Sequence, residues 1–208
     1  MKLIGVLALQ GGFAKHIAVL ERLGATTCRI RTAEELSGCD GFIIPGGEST
    51  VLTKLLMKPG GGPAEGSPWV PGDLYKAIHT FAATKPVMGT CAGLIMLAKP
   101  CGDERVLPFD VLPVTVTRNA YGRQTESFVS NINLSLPDMD STDQYPATFI
   151  RAPKIISVDT GVRILATHKT NSTEEPVMVQ YGNIIGLSFH PELTPEDTRV
   201  HTYFLNLC

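Results

Sequence analysis

The sequence has no cluster of basic residues and no long apolar segment. Its 18 Lys and Arg residues are balanced by 20 Asp and Glu residues, which gives a formal net charge of -2. Proteins that bind nucleic acids or membrane surfaces usually carry a concentrated basic patch, and a bilayer-spanning helix needs roughly 20 apolar residues in succession. We therefore expect no nucleic-acid partner and no membrane association, and small molecules or proteins become the favoured partners.

The sequence also has few cysteines and no spacing that groups them. The five cysteines are scattered and include no Cys-x-x-Cys pair, so neither a disulfide framework nor a zinc site is expected. The apolar start from Leu3 to Leu9 runs into Gln10-Gly11-Gly12 without the small-residue cleavage pattern of a signal peptide. These features predict a cytoplasmic protein that needs no metal and no cofactor.

What the sequence does contain is the pattern of an α/β fold. Strand-like apolar runs at 2–9, 41–45 and 85–89 are separated by segments of helical periodicity, which is typical of parallel strands covered on both faces. We predict a single domain over residues 1–208 with three layers, a mostly parallel central sheet between two layers of helices, as in flavodoxin-like folds. Shorter strands are expected at 111–118, 126–134, 147–150, 162–168, 176–181 and 184–189.

Two further segments have distinct local signals. Thr194 followed by Pro195 is typical of a helix start, with threonine as the cap and proline at the first helical position, so a closing helix is predicted over 195–207. Residues 58–72 are rich in proline and glycine, and they can continue neither a helix nor a strand. We interpret this segment as a surface loop insertion, in which Trp69 either marks a contact surface or packs against its own loop.

Cys91 lies in the segment with the clearest chemical signal. It stands between Gly89 and Gly93, after an apolar strand and before the helical run 94–98. Small residues two positions on either side of a nucleophile allow a strand to turn sharply into a helix, and a helix N-terminus favours the reactive thiolate form of a cysteine. The alternative is a buried structural cysteine flanked by ordinary turn glycines.

His190 and Glu192 form the second signal, at the end of the apolar run 184–189. Side chains two positions apart leave an extended backbone on the same side, so the carboxylate can orient an imidazole that takes the proton of a thiol. A lone histidine before a proline is usually a turn residue, and the combination with Cys91 is what favours a general base. The remaining histidines have no such pattern and are predicted to be structural or exposed: His16, His79, His168 and His201.

Backbone amides that could stabilise an oxyanion are expected at Gly46-Gly47, where a strand ends before a helix. The alternative is a plain strand-to-helix turn capped by Ser49 or Thr50. Gln10 follows the first strand in the same way, at the carboxyl edge where doubly wound sheets bind ligands. An α/β-hydrolase is disfavoured because its acid precedes the histidine in the chain, whereas Glu192 follows it.

Together these residues resemble class I glutamine amidotransferases, whose nucleophile elbow and His-x-Glu pair match Gly89-Thr90-Cys91-Ala92-Gly93 and His190-Pro191-Glu192. Within that class the closer resemblance is to the glutaminase subunits of pyridoxal 5′-phosphate synthase, the PdxT/SNO family. The matching blocks run from end to end of the chain: Leu9-Gln10-Gly11, Pro45 to Thr50, Gly89 to Leu94, Arg118-Asn119 with Gly122-Arg123-Gln124, Phe149 to Pro153, and Ser188 to Thr194.

The resemblance implies a role for each matched residue. Cys91 is the expected nucleophile, His190 the acid and base, and Glu192 the carboxylate that orients the imidazole. The oxyanion hole is expected to involve Gly46, Gly47, Gln10 and Ala92. The residues expected to hold the substrate are Gly47, Glu48, Ser49, Arg118, Ile150 and Arg151.

The resemblance further implies L-glutamine as the substrate and ammonia as the product passed to a partner. That partner is the synthase subunit, expected to be a β/α barrel in a large hetero-oligomer with a dodecameric core. Two alternatives remain open on the sequence. One is an amidotransferase subunit of another pathway with the same triad, and the other is a non-catalytic assembly subunit that has lost turnover.

Overall fold

Strands and helices alternate through the first half of the chain, and strands follow one another in the second half. The computed structural model describes residues 1–63, 66–118, 127–137, 144–170 and 173–208. The strands are β1 (Leu3–Leu7), β2 (Thr26–Ile30), β3 (Gly41–Ile44), β4 (Val87–Thr90), β5 (Val114–Thr117), β6 (Phe128–Leu134), β7 (Tyr145–Phe149), β8 (Lys154–Val158), β9 (Arg163–Lys169), β10 (Glu174–Tyr181) and β11 (Ile184–Leu187). The helices are α1 (Phe13–Arg22), α2 (Ala33–Leu36), α3 (Ser49–Leu56), α4 (Asp73–Ala82), α5 (Ala92–Leu97) and α6 (Arg199–Leu207).

Within the described residues, nine strands form one sheet in the order β2-β1-β3-β4-β11-β10-β9-β6-β7. The first five strands run parallel to their neighbours, and the strands from β10 to β7 are added by antiparallel pairing. Strands β5 and β8 form a separate antiparallel pair. The parallel half therefore matches the predicted α/β fold, and the second half extends it into a mixed sheet.

The parallel strands are buried on both faces, which explains their continuous apolar sequences. In β3, Phe42 and Ile44 face one core whereas Ile43 faces the other. The first core is closed by helices α2 to α5, and the second by α1 and α6 through residues such as Leu20 and Phe204. The three-layer arrangement predicted from the sequence is confirmed.

The closing helix begins later than the sequence predicts. It starts at Arg199 and not at Pro195. Thr194 instead ends the 3-10 turn Pro191–Leu193, and its hydroxyl donates a hydrogen bond to the carbonyl of Pro146 in β7 at 2.8 Å. At the observed helix start, the carboxylate of Asp197 accepts a hydrogen bond from the backbone N–H of Arg199 at 3.2 Å. A tertiary contact thus overrides a local helix signal.

Two strands carry no alternating or continuous apolar pattern, and the sequence analysis missed them. Strand β2 is an edge strand with polar residues and only its last residue fully buried, and its place is set by its parallel pairing with β1. Strand β8 likewise depends on its pairing with β5. Asn119 and residues 122–124, which belong to the sequence resemblance, lie outside the described residues. So does residue 126, where a strand was predicted to begin.

The described part of the segment 58–72 folds back against the end of α3. The N–H of Lys58 donates to the carbonyl of Val70 at 2.8 Å, and the N–H of Gly72 donates to Leu56 at 3.0 Å. The ring of Trp69 covers Gly62 so closely that a Cβ there would lie 2.6 Å from it. Trp69 thus packs within its own loop, one of the two roles considered for it, and its Nε1 also donates to the carbonyl of Glu104 at 2.9 Å outside that loop. No described helix is both long and apolar enough to span a bilayer.

Candidate active site

Cys91 occupies a strained turn between β4 and α5. Its backbone has φ 50° and ψ −104°, a region that residues other than glycine rarely adopt. The turn depends on glycine at the two flanking positions, since a Cβ on Gly93 would lie 2.1 Å from the carbonyl oxygen of Ile44, and one on Gly89 would lie 2.6 Å from the backbone of Gly93. The elbow expected from the sequence is therefore present, and Cys91 stands at its apex.

His190 follows β11, the strand next to β4, and this adjacency brings it to Cys91. The backbone N–H of Cys91 donates to the carbonyl of Leu187 at 2.8 Å, which joins the elbow to β11. A Cβ on Gly46 would meet both His190, 2.3 Å from Cε1, and Cys91, 3.3 Å from its Cβ. Gly46 thus lies against both the imidazole and the cysteine, and its missing side chain leaves room for the His190 ring beside Cys91.

Glu192 orients the His190 ring. Nδ1 of His190 lies 2.8 Å from Oε1 of Glu192, and Nε2 has no hydrogen-bond partner among the described residues. Glu192 sits in a 3-10 turn (Pro191–Leu193) and not in an extended segment. The pairing expected from the sequence is present, but a tight turn and not strand geometry produces it.

The charge state of this pair follows from opposing effects. Burial lowers the pKa of His190, but its contacts with Cys91 and Glu192 outweigh burial and raise that pKa to about 10. Burial raises the pKa of Glu192, whereas the neighbouring His16 and His190 bring it down to about 2. At neutral pH the buried pair is therefore an imidazolium and a carboxylate, and the imidazolium faces the cysteine that would act as a nucleophile.

Two histidines that the sequence analysis left as structural also belong to this cluster. His16 Nε2 lies 3.2 Å from the second carboxylate oxygen of Glu192, and His16 Nδ1 lies 3.0 Å from His201 Nε2. Both histidines are fully buried. The only signal available in the sequence was that His16 shares the buried face of α1 with Val19 and Leu20, an unusual place for a histidine.

The Gly46-Gly47 turn packs tightly against the loop after β1. The carbonyl of Gly46 accepts a hydrogen bond from Gly12 N–H at 3.1 Å, and a Cβ on Gly11 would lie 1.9 Å from that carbonyl. The Gln10 side chain binds the backbone of Glu48 through both its oxygen, at 3.2 Å, and its nitrogen, at 3.5 Å. In this conformation the Gln10 amide is thus engaged with the turn itself.

The start of α3 resolves an alternative raised by the sequence. Glu48 occupies the cap position, with no capping hydrogen bond from its side chain, and the helix begins at Ser49. The plain reading in which Ser49 or Thr50 caps the helix is therefore wrong. The Ser49 hydroxyl is buried and has no hydrogen-bond partner among the described residues, and it lines the cavity in front of Cys91. Such a group is available to a bound ligand.

A single cavity of about 450 Å³ joins these parts. Two arginines line it: Arg118, which pairs with Glu48 at 3.0 Å and also with Asp103, and Arg151, whose φ of 42° is another departure from usual backbone geometry. Ala92, the remaining predicted residue, is the buried first residue of α5. The predicted site residues that line the cavity are Gln10, Gly46, Gly47, Glu48, Ser49, Cys91, Arg118, Ile150, Arg151, His190 and Glu192.

Comparison with known proteins gives a consistent result. A model of the SNO glutamine amidotransferase family matches residues 6–208. The chain is 42% identical over 205 residues to the pyridoxal 5′-phosphate synthase subunit PdxT of Brevibacillus brevis, covering 98% of this chain and 96% of that protein. It is 41% identical over 209 residues to the subunit PdxT of Solibacter usitatus, covering 99% of each.

Solved structures agree with this result. A crystal structure of a glutamine amidotransferase aligns with a TM-score of 0.80 at 37% sequence identity, covering 98% of this chain and 97% of the other. A structure of PurLQS from Thermotoga maritima aligns with a TM-score of 0.68 at 18% identity, covering 99% of each chain. The second similarity concerns the fold alone.

Proposed function

The chain belongs to the SNO glutamine amidotransferase family and acts as the glutaminase subunit of a pyridoxal 5′-phosphate synthase, and we propose that it hydrolyses L-glutamine with Cys91, His190 and Glu192. The observation that carries this proposal is the common cavity, in which a strained cysteine and a histidine oriented by a carboxylate share one space with two arginines. A nucleophile, a base and an anion-binding wall are what hydrolysis of an amino-acid side-chain amide requires.

In the proposed reaction, His190 Nε2 holds the proton taken from the Cys91 thiol, and Cys91 Sγ attacks the side-chain carbonyl carbon of glutamine. His190 then gives this proton to the leaving nitrogen, so that ammonia departs and a thioester remains on Cys91. A water molecule, deprotonated by His190, hydrolyses the thioester, releases glutamate and restores the thiol. Glu192 keeps Nδ1 of His190 engaged throughout, which leaves Nε2 for the proton transfers.

The oxyanion that forms during each attack needs hydrogen-bond donors. We assign this role to backbone amides of the Gly46-Gly47 turn and of Ala92, with Gln10 beside them. Because Gly12 N–H holds the carbonyl of Gly46, rotation of the peptide between Gly46 and Gly47 would exchange that contact for a different orientation of the Gly47 N–H. Two consecutive glycines make such a rotation sterically accessible.

The α-carbon end of the substrate would bind beside Arg118 and Arg151. Arg118 and Arg151 carry the donors for the glutamine α-carboxylate, and the Glu48 carboxylate, the Ser49 hydroxyl and the carbonyl of Ile150 can accept from the α-ammonium group. The Ile150 carbonyl also lies 3.8 Å from the Cys91 sulfur, so this part of the wall reaches the nucleophile. The separation between these α-group contacts and Cys91 would select for a side chain long enough to place its amide at the nucleophile.

The partner of the chain is a synthase subunit, and we propose that it is a β/α barrel arranged around a dodecameric core. Ammonia would pass through the interior of that partner to a pentose phosphate substrate.

We also propose that residues 1–208 form one amidotransferase domain and that 58–72 is a surface insertion, a reading supported by the folding of that segment back onto α3. The alternative of a non-catalytic assembly subunit is disfavoured by the intact geometry around Cys91.

The test of this proposal is the rate of glutamine hydrolysis with and without a purified synthase subunit. We expect slow hydrolysis by the isolated chain and a strong increase at saturating partner, because docking can favour the turn conformation that completes the oxyanion hole. A Cys91→Ala variant with the partner present serves as the control and should remain inactive. Equal rates with and without the partner would remove docking-dependent activation from the proposal.

A further inference from the structure

A buried pair of histidines lies behind the proposed catalytic carboxylate, and the reaction described above does not use it. His16 comes from α1 and His201 from α6, and both side chains are fully buried. His16 Nε2 lies 3.2 Å from Glu192 Oε2, the oxygen that does not contact His190, and 3.4 Å from the hydroxyl of Thr90. Thr90 directly precedes the nucleophile, so His16 stands between the elbow and the carboxylate.

One choice of tautomers for His16 and His201 is consistent with the contacts of this cluster. Glu192 Oε2 makes no hydrogen bond with the described residues, and His16 Nε2 lies 3.2 Å from it, close enough for an electrostatic contact. An ionised carboxylate only accepts hydrogen bonds, so a neutral His16 that serves this oxygen carries its proton on Nε2. Its Nδ1 is then an acceptor, and it receives the proton on Nε2 of His201, 3.0 Å away. His201 Nδ1, which has no hydrogen-bond partner among the described residues, is the end of the series.

Burial keeps both histidines neutral, as this arrangement requires. It lowers the pKa of His16, despite the opposing effect of Glu192, and it lowers the pKa of His201 to about 3, helped by the neighbouring His16. A cationic His16 would compete with His190 for the charge of Glu192. A neutral His16 instead offers a dipole and a donor without supplying a second positive charge.

From this geometry we infer that His16 is a positioning residue for hydrolysis, which holds the Glu192 carboxylate through Oε2 so that Oε1 stays on Nδ1 of His190. This inference rests on the proposed triad and adds a residue to it. Glu192 sits in a 3-10 turn of three residues. A donor from α1, outside that turn, prevents the carboxylate from rotating away from the imidazole. His201 acts one step further away by fixing the tautomer of His16.

The experiment compares three substitutions of His16 in the complex with the synthase subunit. The amide nitrogen of glutamine reaches about the place of the imidazole Nε2, whereas that of asparagine reaches only the place of Nδ1. His16→Gln therefore keeps a donor for Glu192, His16→Asn keeps a polar group without that donor, and His16→Leu removes both. We expect kcat to fall about 10- to 100-fold in the Asn and Leu variants, the size of one hydrogen bond to a charged group.

The Gln variant should recover several-fold in kcat relative to the Asn variant. The KM for glutamine should stay unchanged in all three, because His16 does not line the substrate cavity. A packing role would give the reverse order, with leucine tolerated best and the loss following thermal stability. If the Leu variant fails to fold, the Gln and Asn pair still decides, and equal kcat values for these two would overturn the positioning role.

Two control measurements distinguish a failure of the His16 positioning role from a failure of the proposed triad. Wild-type chain with the partner should hydrolyse glutamine, and Cys91→Ala should not. If that difference holds and the His16 variants all match wild type, only the positioning role is wrong. If wild type shows no hydrolysis in the complex, the proposed function and this inference both fail.

Discussion

Two sets of residues that line the active-site cavity are held in place in different ways. The nucleophile wall consists of Cys91, His190 and Glu192, and the binding wall consists of Glu48, Arg118 and Arg151. On the nucleophile wall, backbone atoms and buried side chains are in direct contact: Gly93 lies against the carbonyl of Ile44, and Glu192 is buried against His190. On the binding wall, Arg118 is held by ion pairs with Glu48 and Asp103. The Glu48 side chain is 48% exposed to solvent.

This difference predicts how each wall responds to change. Ion pairs near the surface contribute about 0–1 kcal/mol each and rearrange readily, so the arginines can exchange a protein carboxylate for that of a substrate. Close-packed backbone has no such freedom. Changes to the nucleophile wall should therefore act on kcat or on stability, and changes to the binding wall should act on KM.

The largest effect is expected from the nucleophile. Cys91→Ala should lower glutamine hydrolysis by at least about 10⁴-fold, with an unchanged thermal unfolding midpoint, because the substitution removes a reacting atom and little volume. Glutaminase assays in the presence of the synthase subunit measure this loss. Single replacements of Cys28, Cys39, Cys101 and Cys208 by alanine or serine should leave hydrolysis largely intact, and activity near wild type in Cys91→Ala would contradict the assignment.

The binding wall should respond in KM. Arg118→Ala and Arg151→Ala should each raise the KM for glutamine about 10- to 100-fold, which is the size of a hydrogen bond to a charged group, with a smaller change in kcat. Arg105→Ala is the matched control, because Arg105 also pairs with Asp103 but does not line the cavity in front of Cys91. A fall in kcat at constant KM would show that the two walls are not separable.

The packing of the elbow can be tested by stability. Gly93→Ala should destabilise the fold by about 1–3 kcal/mol, since the added Cβ meets a backbone carbonyl that cannot move alone. Gly38→Ala is the control, because a Cβ there meets nothing within 4 Å, and its effect should stay within about 0.5 kcal/mol. Urea unfolding curves of both variants compare the two sites, and equal stabilities would remove the steric argument for the elbow.

The smallest effect concerns pH. Burial, together with His16, lowers the pKa of His201 from 6.5 to about 3. Between these values the unfolded chain binds a proton that the folded chain does not, so stability is greatest above pH 6.5 and falls as pH falls, by at most about 1.4 kcal/mol per pH unit for one group. His201→Phe should reduce this slope between pH 6.5 and 5, measured by chemical unfolding.

Glu192 does not contribute to the slope of stability between pH 6.5 and 5, because its folded pKa of about 2 lies below the unfolded value of 4.5. Its contribution is present above pH 4.5 and is lost only as pH falls below it. The raised pKa of His190 contributes stability that is complete below pH 6.5 and is lost as pH rises towards 10. An identical slope in wild type and His201→Phe over pH 5 to 6.5 would mean that His201 is not held neutral in the folded chain.

The sequence predicts the nucleophile wall well because its determinants are local. Glycines around Cys91 and the two-residue spacing of His190 and Glu192 fix neighbouring atoms, and neighbouring atoms are visible in a sequence. His16 and His201 were missed because they meet each other, across 185 positions of the chain, only after α1 and α6 have packed, and only His16 contacts Glu192. Strand β2 was missed for the same kind of reason, since its pairing with β1 and not its own pattern defines it.

The place of β11 in the sheet has a consequence for how the site comes into being during synthesis. Strand β11 is inserted between β4 and β10, although almost a hundred residues separate Thr90 from its sheet neighbour Leu187. Until β11 leaves the ribosome, the edge of β4 stays open and Cys91 has no base beside it. Pairing over such a distance forms slowly, and an open edge invites aggregation. A nascent chain therefore brings His190 to Cys91 in the same step that completes the longest-range strand pairing of the described residues.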